Sequence, residues 1–91
     1  VFLLAELMEK AAIEQGLPAD LAALLARQTV SGSGGLLAAS PEDASALRVA
    51  VTSPGGTTAA ALAVLMADAA WPAALSQAID AATRRSRELA G

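Results

Sequence analysis

Apolar residues recur every three to four positions along most of the chain, which is the spacing of amphipathic helices. Residues 1–15 are predicted to form the first helix, with glutamates and Lys10 on its polar side, and Gly16 is expected to end it. Leucines resume at helical spacing after Pro18, a residue suited to a first helical turn, so a second helix is predicted to begin near that proline.

The segment 31–35, with the sequence SGSGG, permits two interpretations. Its composition is typical of a flexible linker, because each glycine costs about 0.8–1.0 kcal/mol relative to alanine inside a helix. Against this, leucines resume at once with Leu36, and small residues on every turn allow two helix backbones to approach closely. We favour a continuous helix.

Two further helices are predicted from their starting residues. Ser40 is expected to be the N-cap of a short helix that ends near Val49, with Pro41 at its first position. Glu42 and Asp43 would then stabilise the positive end of the helix dipole, and we prefer this interpretation to a metal or acid/base site.

The last segment, residues 71–89, reads as a long surface-packed helix with Pro72 in its first turn. Trp71 just precedes this helix and is expected to anchor packing between helices. Three arginines lie near the end of this helix: Arg84, Arg85 and Arg87. We expect them to be exposed and to stabilise the negative end of the helix dipole. The alternative is that one of them pairs with a carboxylate across a subunit boundary.

The amino-acid composition also favours helices, and it indicates that the chain associates with a second subunit. The 91 residues are 55% hydrophobic, 16% charged and only 2% aromatic. Because alanine and leucine dominate and β-branched residues are sparse, we expect an all-α fold. A chain of this length buries only about 60–65% of the surface that its unfolded form exposes. We therefore expect a homo-oligomer, at least a dimer.

Charge and missing residue types exclude several functions. A net charge of −3 leaves no basic surface for nucleic acid. Cysteine and histidine are absent, so no disulfide, thiolate nucleophile or Cys/His zinc site is expected. The apolar run over residues 59–67 is too short for a bilayer, and no signal peptide is evident, so we expect a cytoplasmic protein without membrane contact. The chain opens on Val1 in mid-pattern, which suggests a piece of a longer protein.

The segment 51–58, VTSPGGTT, carries the candidate site. Its Pro-Gly-Gly sequence forces a turn, and a helix that opens at Gly56 or Thr57 leaves backbone N–H groups free at the positive end of its dipole. Such an end binds small anions, and glycines let the anion touch the backbone. A carboxylate or a phosphate would also meet nearby hydroxyls, those of Ser53, Thr57 and Thr58.

The segment is not a nucleotide P-loop, because no lysine follows the glycines at the spacing that a P-loop requires. The alternative is that the three hydroxyl residues only cap a tight turn.

Residues 49–65, VAVTSPGGTTAAALAVL, resemble the signature of pyrroline-5-carboxylate reductases. The same order of segments continues on both sides, with AAIEQGLPADLA at 11–22, QTVSGSGGLL at 28–37 and AIDAATRRSREL at 78–89. The resemblance spans nearly the whole chain. Met66 departs from it, because the family usually has a polar or acidic residue after the leucine.

The resemblance implies that residues 1–91 are a C-terminal dimerisation and substrate-binding domain. In that family the domain is a helical bundle that interlocks with a second copy, similar to the C-terminal domain of 6-phosphogluconate dehydrogenase. The stretch corresponding to SGSGG is helical there. An N-terminal Rossmann domain, which this chain lacks, would bind NADPH or NADH.

The implied reaction is the reduction of 1-pyrroline-5-carboxylate to L-proline in proline biosynthesis. Thr58 matches the hydroxyl residue near the imine nitrogen and is the predicted catalytic residue, acting directly or through a water. Val51 would lie against the substrate ring. The substrate carboxylate would be held by the loop, with Ser53, Gly55, Gly56 and Thr57 as the predicted binding residues. Without the cofactor domain, this chain alone is expected to be inactive.

Two rival interpretations remain. One is a purely structural oligomerisation module without a ligand site, in which the SPGGTT loop is only a turn. The other is a helical domain of a β-hydroxyacid-type dehydrogenase. Those families generally place a lysine in a comparable helix, and the only lysine here is Lys10, which argues against that choice.

Overall fold

Five helices and no strand make up the structure, a computed structural model that describes residues 1–91. The predicted all-α class is therefore confirmed. In chain order the helices are α1 (Phe2–Glu14), α2 (Ala19–Ala39), α3 (Ala44–Ala50), α4 (Thr57–Leu65) and α5 (Trp71–Ala90). The chain divides into two compact units, Val1–Ala44 and Ser45–Gly91.

In the first unit, α1 and α2 pack against each other across a short turn. The turn forms because the N–H of Gly16 donates to the carbonyl of Ile13 at 2.9 Å and the N–H of Leu17 donates to that of Ala12 at 3.1 Å. These two bonds form a Schellman motif, which confirms Gly16 as the residue that ends α1. Pro18 is the N-cap of α2, immediately before its first helical residue.

The helix α2 is continuous through residues 31–35, so the linker interpretation of SGSGG is wrong. The two fully buried residues of the chain, Ala22 and Ala26, lie one turn apart on this helix. Alanines at these positions let the backbones of α1 and α2 approach closely. The second half of α2, residues 31–39, is exposed along its whole length.

The predicted start of the third helix at Ser40 is wrong, since α3 begins four residues later. Ser40 instead ends α2, because its N–H donates to the carbonyl of Leu36 at 2.9 Å. Its hydroxyl accepts from the N–H of Glu42 at 3.1 Å, a local turn that competes with helix formation. Pro41 also disfavours the helical conformation for the residue before it. Consequently Pro41, Glu42 and Asp43 precede α3 and do not form its first turn.

In the second unit, Trp71 is the first residue of α5, whereas the sequence predicted that it would lie just before the helix. Pro72 follows within the first turn, as predicted. Trp71 lines a cavity of about 350 Å³ together with Leu62 and Leu65 of α4 and Leu75 of α5. Trp71 is nevertheless 43% exposed in the single chain, so its packing role stays a prediction.

The arginines near the end of α5 differ in their partners. Arg84 pairs with Asp80 at 2.9 Å, and Arg85 pairs with Glu88 at 3.0 Å, both within the helix. Such exposed pairs contribute about 0.3–0.5 kcal/mol each. Arg87 lies in the last turn and makes no ion pair within the chain. Its position therefore suits a charge that stabilises the negative end of the helix dipole.

Large apolar side chains remain exposed in both units. On α2, Leu36 and Leu37 are 50% and 54% exposed, and on α5, Leu75 and Ile79 are 57% and 66% exposed. No residue of α5 is buried, although the helix is 20 residues long. The isolated chain therefore has almost no core, and its apolar faces need a cover. No helix has the combination of length and hydropathy needed to cross a membrane.

Candidate anion-binding site

The candidate site comprises the loop after α3 and the first turn of α4. Val51 is the first residue after α3, and it is 64% exposed. The next residue, Thr52, is bound to the last turn of α3 twice. Its N–H donates to the carbonyl of Val49 at 3.0 Å, and its Oγ1 donates to the carbonyl of Arg48 at 2.6 Å. The loop therefore has a fixed starting point.

The loop then turns sharply between Ser53 and Gly56. The N–H of Gly56 donates to the carbonyl of Ser53 at 3.0 Å, which closes a β-turn with Pro54 and Gly55 at its centre. Gly55 has a φ of 71°, in the left-handed region. Proline at the second position and a positive φ at the third are typical of a type II turn. The turn predicted from Pro-Gly-Gly is confirmed.

Glycine suits position 56 for a different reason, because the backbone of Ser53 lies close to the place that a side chain would occupy. A Cβ at this residue would lie 3.2 Å from the carbonyl oxygen of Ser53 and 3.4 Å from its Cβ. The neighbouring atom is backbone and belongs to the turn itself, so a larger residue would displace the turn. The backbone is thus bare at the point where the helix begins.

The first turn of α4 presents backbone donors that have no acceptor in the chain. Gly56 is the N-cap, and its carbonyl accepts from the N–H of Ala60 at 3.1 Å. The N–H groups of Thr57, Thr58 and Ala59 precede the first intrahelical bond and make no hydrogen bond to backbone or side chain. Free donors at the positive end of a helix dipole are the kind of group that binds small anions.

The hydroxyl groups around this helix end are also unpaired. No side chain caps α4, and the hydroxyls of Ser53, Thr57 and Thr58 have no hydrogen-bond partner within the chain. The alternative in which these residues only cap a tight turn therefore does not describe the structure. The arrangement offers both backbone N–H and side-chain O–H donors to a small acid group.

The predicted site residues are contiguous in sequence, and the structure keeps them together at this helix end. Gly56 and Thr58 are half-buried, whereas Val51, Ser53, Gly55 and Thr57 are exposed. A ligand could therefore reach the donors from solvent while contacting two partly shielded residues.

Sequence reasoning missed two neighbours of the site, Arg48 and Thr52. Both line a cavity of about 440 Å³ between α3 and α4, which is otherwise apolar and contains none of the predicted site residues. The Nη1 of Arg48 donates to the Sδ of Met66 at 3.1 Å, and no carboxylate pairs with it. The signal for Thr52 is a hydroxyl residue two positions after the end of a helix and four positions after a helical carbonyl, although the sequence alone does not fix where α3 ends.

Acidic side chains do not assemble anywhere in the chain. No group of three or more carboxylates comes close enough to hold a metal ion. Glu42 and Asp43 are exposed residues of the turn before α3. The start of α4 offers donor groups and no carboxylate, so its chemistry suits an anion and not a metal ion.

Over residues 1–89, the chain matches the family model described as pyrroline-5-carboxylate reductase dimerisation. Pyrroline-5-carboxylate reductases of Synechocystis sp. and Arabidopsis thaliana are 40% and 39% identical to it over 89 residues, which is 98% of this chain and 33% and 32% of those proteins. Pyrroline-5-carboxylate reductase 2 of Bacillus subtilis is 39% identical over 84 residues, which is 92% of this chain and 30% of that protein.

The chain thus spans about a third of the length of the curated relatives it matches. The family match covers all five helices except the last residue of α5. It includes the loop and helix start that carry the free donors. On this evidence, the chain belongs to the pyrroline-5-carboxylate reductase dimerisation family.

Proposed function

We propose that this chain is the C-terminal substrate-binding and dimerising part of a reductase that converts 1-pyrroline-5-carboxylate to L-proline. The observation that carries the proposal is the set of free N–H groups at Thr57, Thr58 and Ala59, beside a turn with no side chain at Gly55 or Gly56. The similarity to reductases of that name supports the choice of a cyclic imino acid as the ligand.

The carboxylate of the substrate would accept hydrogen bonds from the first turn of α4. Hydrogen bonds to a charged group contribute about 1.5–3 kcal/mol each, so two or three of them suffice to orient a small ring. Val51 is exposed next to the turn and would contact the ring carbons. Fixing the acid group and one face of the ring determines where the C=N bond lies.

Reduction of the C=N bond adds a hydride to carbon and a proton to nitrogen. Thr58 is the hydroxyl residue on the first turn of α4 that is half-buried. Its Oγ1 either donates a hydrogen bond to the nitrogen or holds the water that supplies the proton. Because a threonine hydroxyl is a weak acid, both routes fit its chemistry.

The residues of this chain do not fit a nicotinamide dinucleotide. The chain has no strand, and a dinucleotide fingerprint requires a glycine-rich loop between a strand and a helix. We assign NADPH or NADH to a Rossmann domain in the rest of the protein. The expectations of a cytoplasmic location and of no contact with nucleic acid or membrane stay predictions.

Self-association is the second part of the proposal. The exposed leucines of α2 and the unburied α5 give two apolar surfaces that the chain itself does not cover. The family description names dimerisation. We infer that a second copy covers these surfaces, so that the assembly is at least a dimer.

The catalytic assignment is tested by Thr58→Ala in the full-length protein. Loss of the proton-delivering hydroxyl is expected to lower kcat by about 10²-fold, with a smaller change in KM, because the backbone donors remain. Steady-state kinetics with pyrroline-5-carboxylate measure both constants. Ser45→Ala removes an exposed hydroxyl on α3, outside both α2 and α5, and is the control.

The purely structural alternative predicts a different outcome. If the chain only brings subunits together, Thr58→Ala and Ser45→Ala will have equal kcat values. That result would remove Thr58 from the mechanism. If substitutions at Gly56 also leave kcat/KM unchanged, the start of α4 is not the substrate-binding site.

A further inference from the structure

Thr52 lies between α3 and the candidate site, and its hydroxyl does not face a ligand. Its Oγ1 donates to the carbonyl of Arg48 at 2.6 Å, and the residue is half-buried. Its own N–H donates to the carbonyl of Val49 at 3.0 Å. One residue thus fixes the start of the loop to the last turn of α3 with two hydrogen bonds.

The position of the loop start controls the rest of the site. Ser53 follows Thr52 directly, and its carbonyl holds the N–H of Gly56 at 3.0 Å. Gly56 in turn is the N-cap from which the free donors of α4 begin. A shift at Thr52 would therefore move the carbonyl of Ser53, the turn and the donor groups together.

The same turn of α3 also contacts the far end of α4. The guanidinium of Arg48 donates to the Sδ of Met66, the residue that ends α4, at 3.1 Å. This contact fixes the distant end of the helix, whereas the bond from Thr52 fixes the end at the site. Removal of the hydroxyl of Thr52 would thus free the ligand-binding end of α4 selectively.

We propose that Thr52 is a positioning residue of the site: its hydroxyl sets the placement of the first turn of α4 and thereby the affinity for the substrate carboxylate. The inference rests on the proposed function. It assigns Thr52 no contact with the ligand and no role in proton transfer.

The chain contains a matched control for this bond. The Oγ1 of Thr29 donates to the carbonyl of Leu25 at 2.7 Å, again from a threonine to the carbonyl four residues before it. Thr29 lies within α2, in the other compact unit. Thr29→Val removes the same kind of hydrogen bond outside the unit that contains the loop.

The test compares Thr52→Val, Thr52→Ser and Thr29→Val in the full-length protein. Valine keeps the shape of threonine and removes the hydroxyl, whereas serine restores it. We expect Thr52→Val to raise KM for pyrroline-5-carboxylate and Kd for L-proline by about tenfold, the effect of a hydrogen bond of ordinary strength. We expect kcat to change less than about twofold, since the chemical groups stay in place.

Serine is expected to return both constants to the original values, and Thr29→Val is expected to leave them unchanged while lowering Tm as much as Thr52→Val. Equal KM and Kd values for the two valine variants would overturn the proposal. Thr58→Ala separates the two levels of failure. If Thr58→Ala lowers kcat while Thr52→Val changes nothing, the positioning role is wrong and the function stands. If neither has an effect, the proposed function fails and the positioning role with it.

Discussion

Replacement of Gly56 by valine in the full-length protein is expected to lower kcat/KM for pyrroline-5-carboxylate by about 10- to 10²-fold, mainly through KM, because a hydrogen bond to a charged group contributes about 1.5–3 kcal/mol. The Cβ of any side chain at this position would lie 3.2 Å from the carbonyl oxygen of Ser53. The carbonyl of Ser53, which closes the turn, must therefore shift by a few tenths of an ångström, and the branched side chain of valine adds further bulk at this point. The N–H groups of Thr57 and Thr58 would then no longer converge on the carboxylate.

Two further variants separate this effect from general damage. Gly56→Ala introduces only the Cβ and is expected to cause an intermediate loss. Ala60→Val adds similar bulk at an exposed position of the same helix, one turn beyond the site, and is expected to leave kcat/KM within about twofold. Steady-state kinetics measure all three. If Gly56→Val retains the kcat/KM of the original protein, the carboxylate does not bind at this turn.

The substitution Ile79→Asp is expected to dissociate the protein into monomers. Ile79 is 66% exposed in the single chain and lies on the apolar stripe of α5 with Leu75, one turn before it. In an isolated chain, aspartate at such an exposed position would change stability little. In a dimer that buries this stripe, the unpaired charge costs about 3–5 kcal/mol, which raises the dimer dissociation constant by about 10²- to 5 × 10³-fold.

Ala81→Asp provides the control for the Ile79 variant. Ala81 lies on the opposite side of α5, on the face that carries Gln77, Arg84 and Glu88. Sedimentation equilibrium at micromolar concentration is the measurement. We expect the original chain and Ala81→Asp to sediment with twice the 9.0 kDa mass of one chain, and Ile79→Asp with the single mass. Identical masses for both aspartate variants would show that α5 does not contribute its apolar stripe to the interface.

The helices were predictable wherever local signals agreed with one another. Gly16 ends α1 through a Schellman motif, and Pro54, Gly55 and Gly56 form the expected turn, because their backbone preferences leave few alternatives. Ser40 was misjudged because a serine followed by proline suits either the end of one helix or the start of the next. The coordinates decide between them, because the N–H of Ser40 donates to the carbonyl of Leu36 at 2.9 Å and so belongs to the end of α2.

The site was predictable to a similar degree, and for the same reason. Its donors are backbone groups, so the turn and the helix start are sufficient to locate them. The hydroxyls of Ser53, Thr57 and Thr58 could not be assigned from sequence, since a cap and a free donor have the same residue type. The role of Thr52 also required coordinates. Its bond to the carbonyl of Arg48 depends on the direction in which the chain leaves α3.

We propose that the free N–H groups at the start of α4 bind the acid group of the ligand. The amide chemical shifts of the full-length protein, labelled with ¹⁵N-threonine and titrated with L-proline, report on this contact. We expect the Thr57 and Thr58 amides to shift with a common Kd while those of Thr29 and Thr83 stay unchanged. Saturation with proline without movement of Thr57 and Thr58 would contradict it.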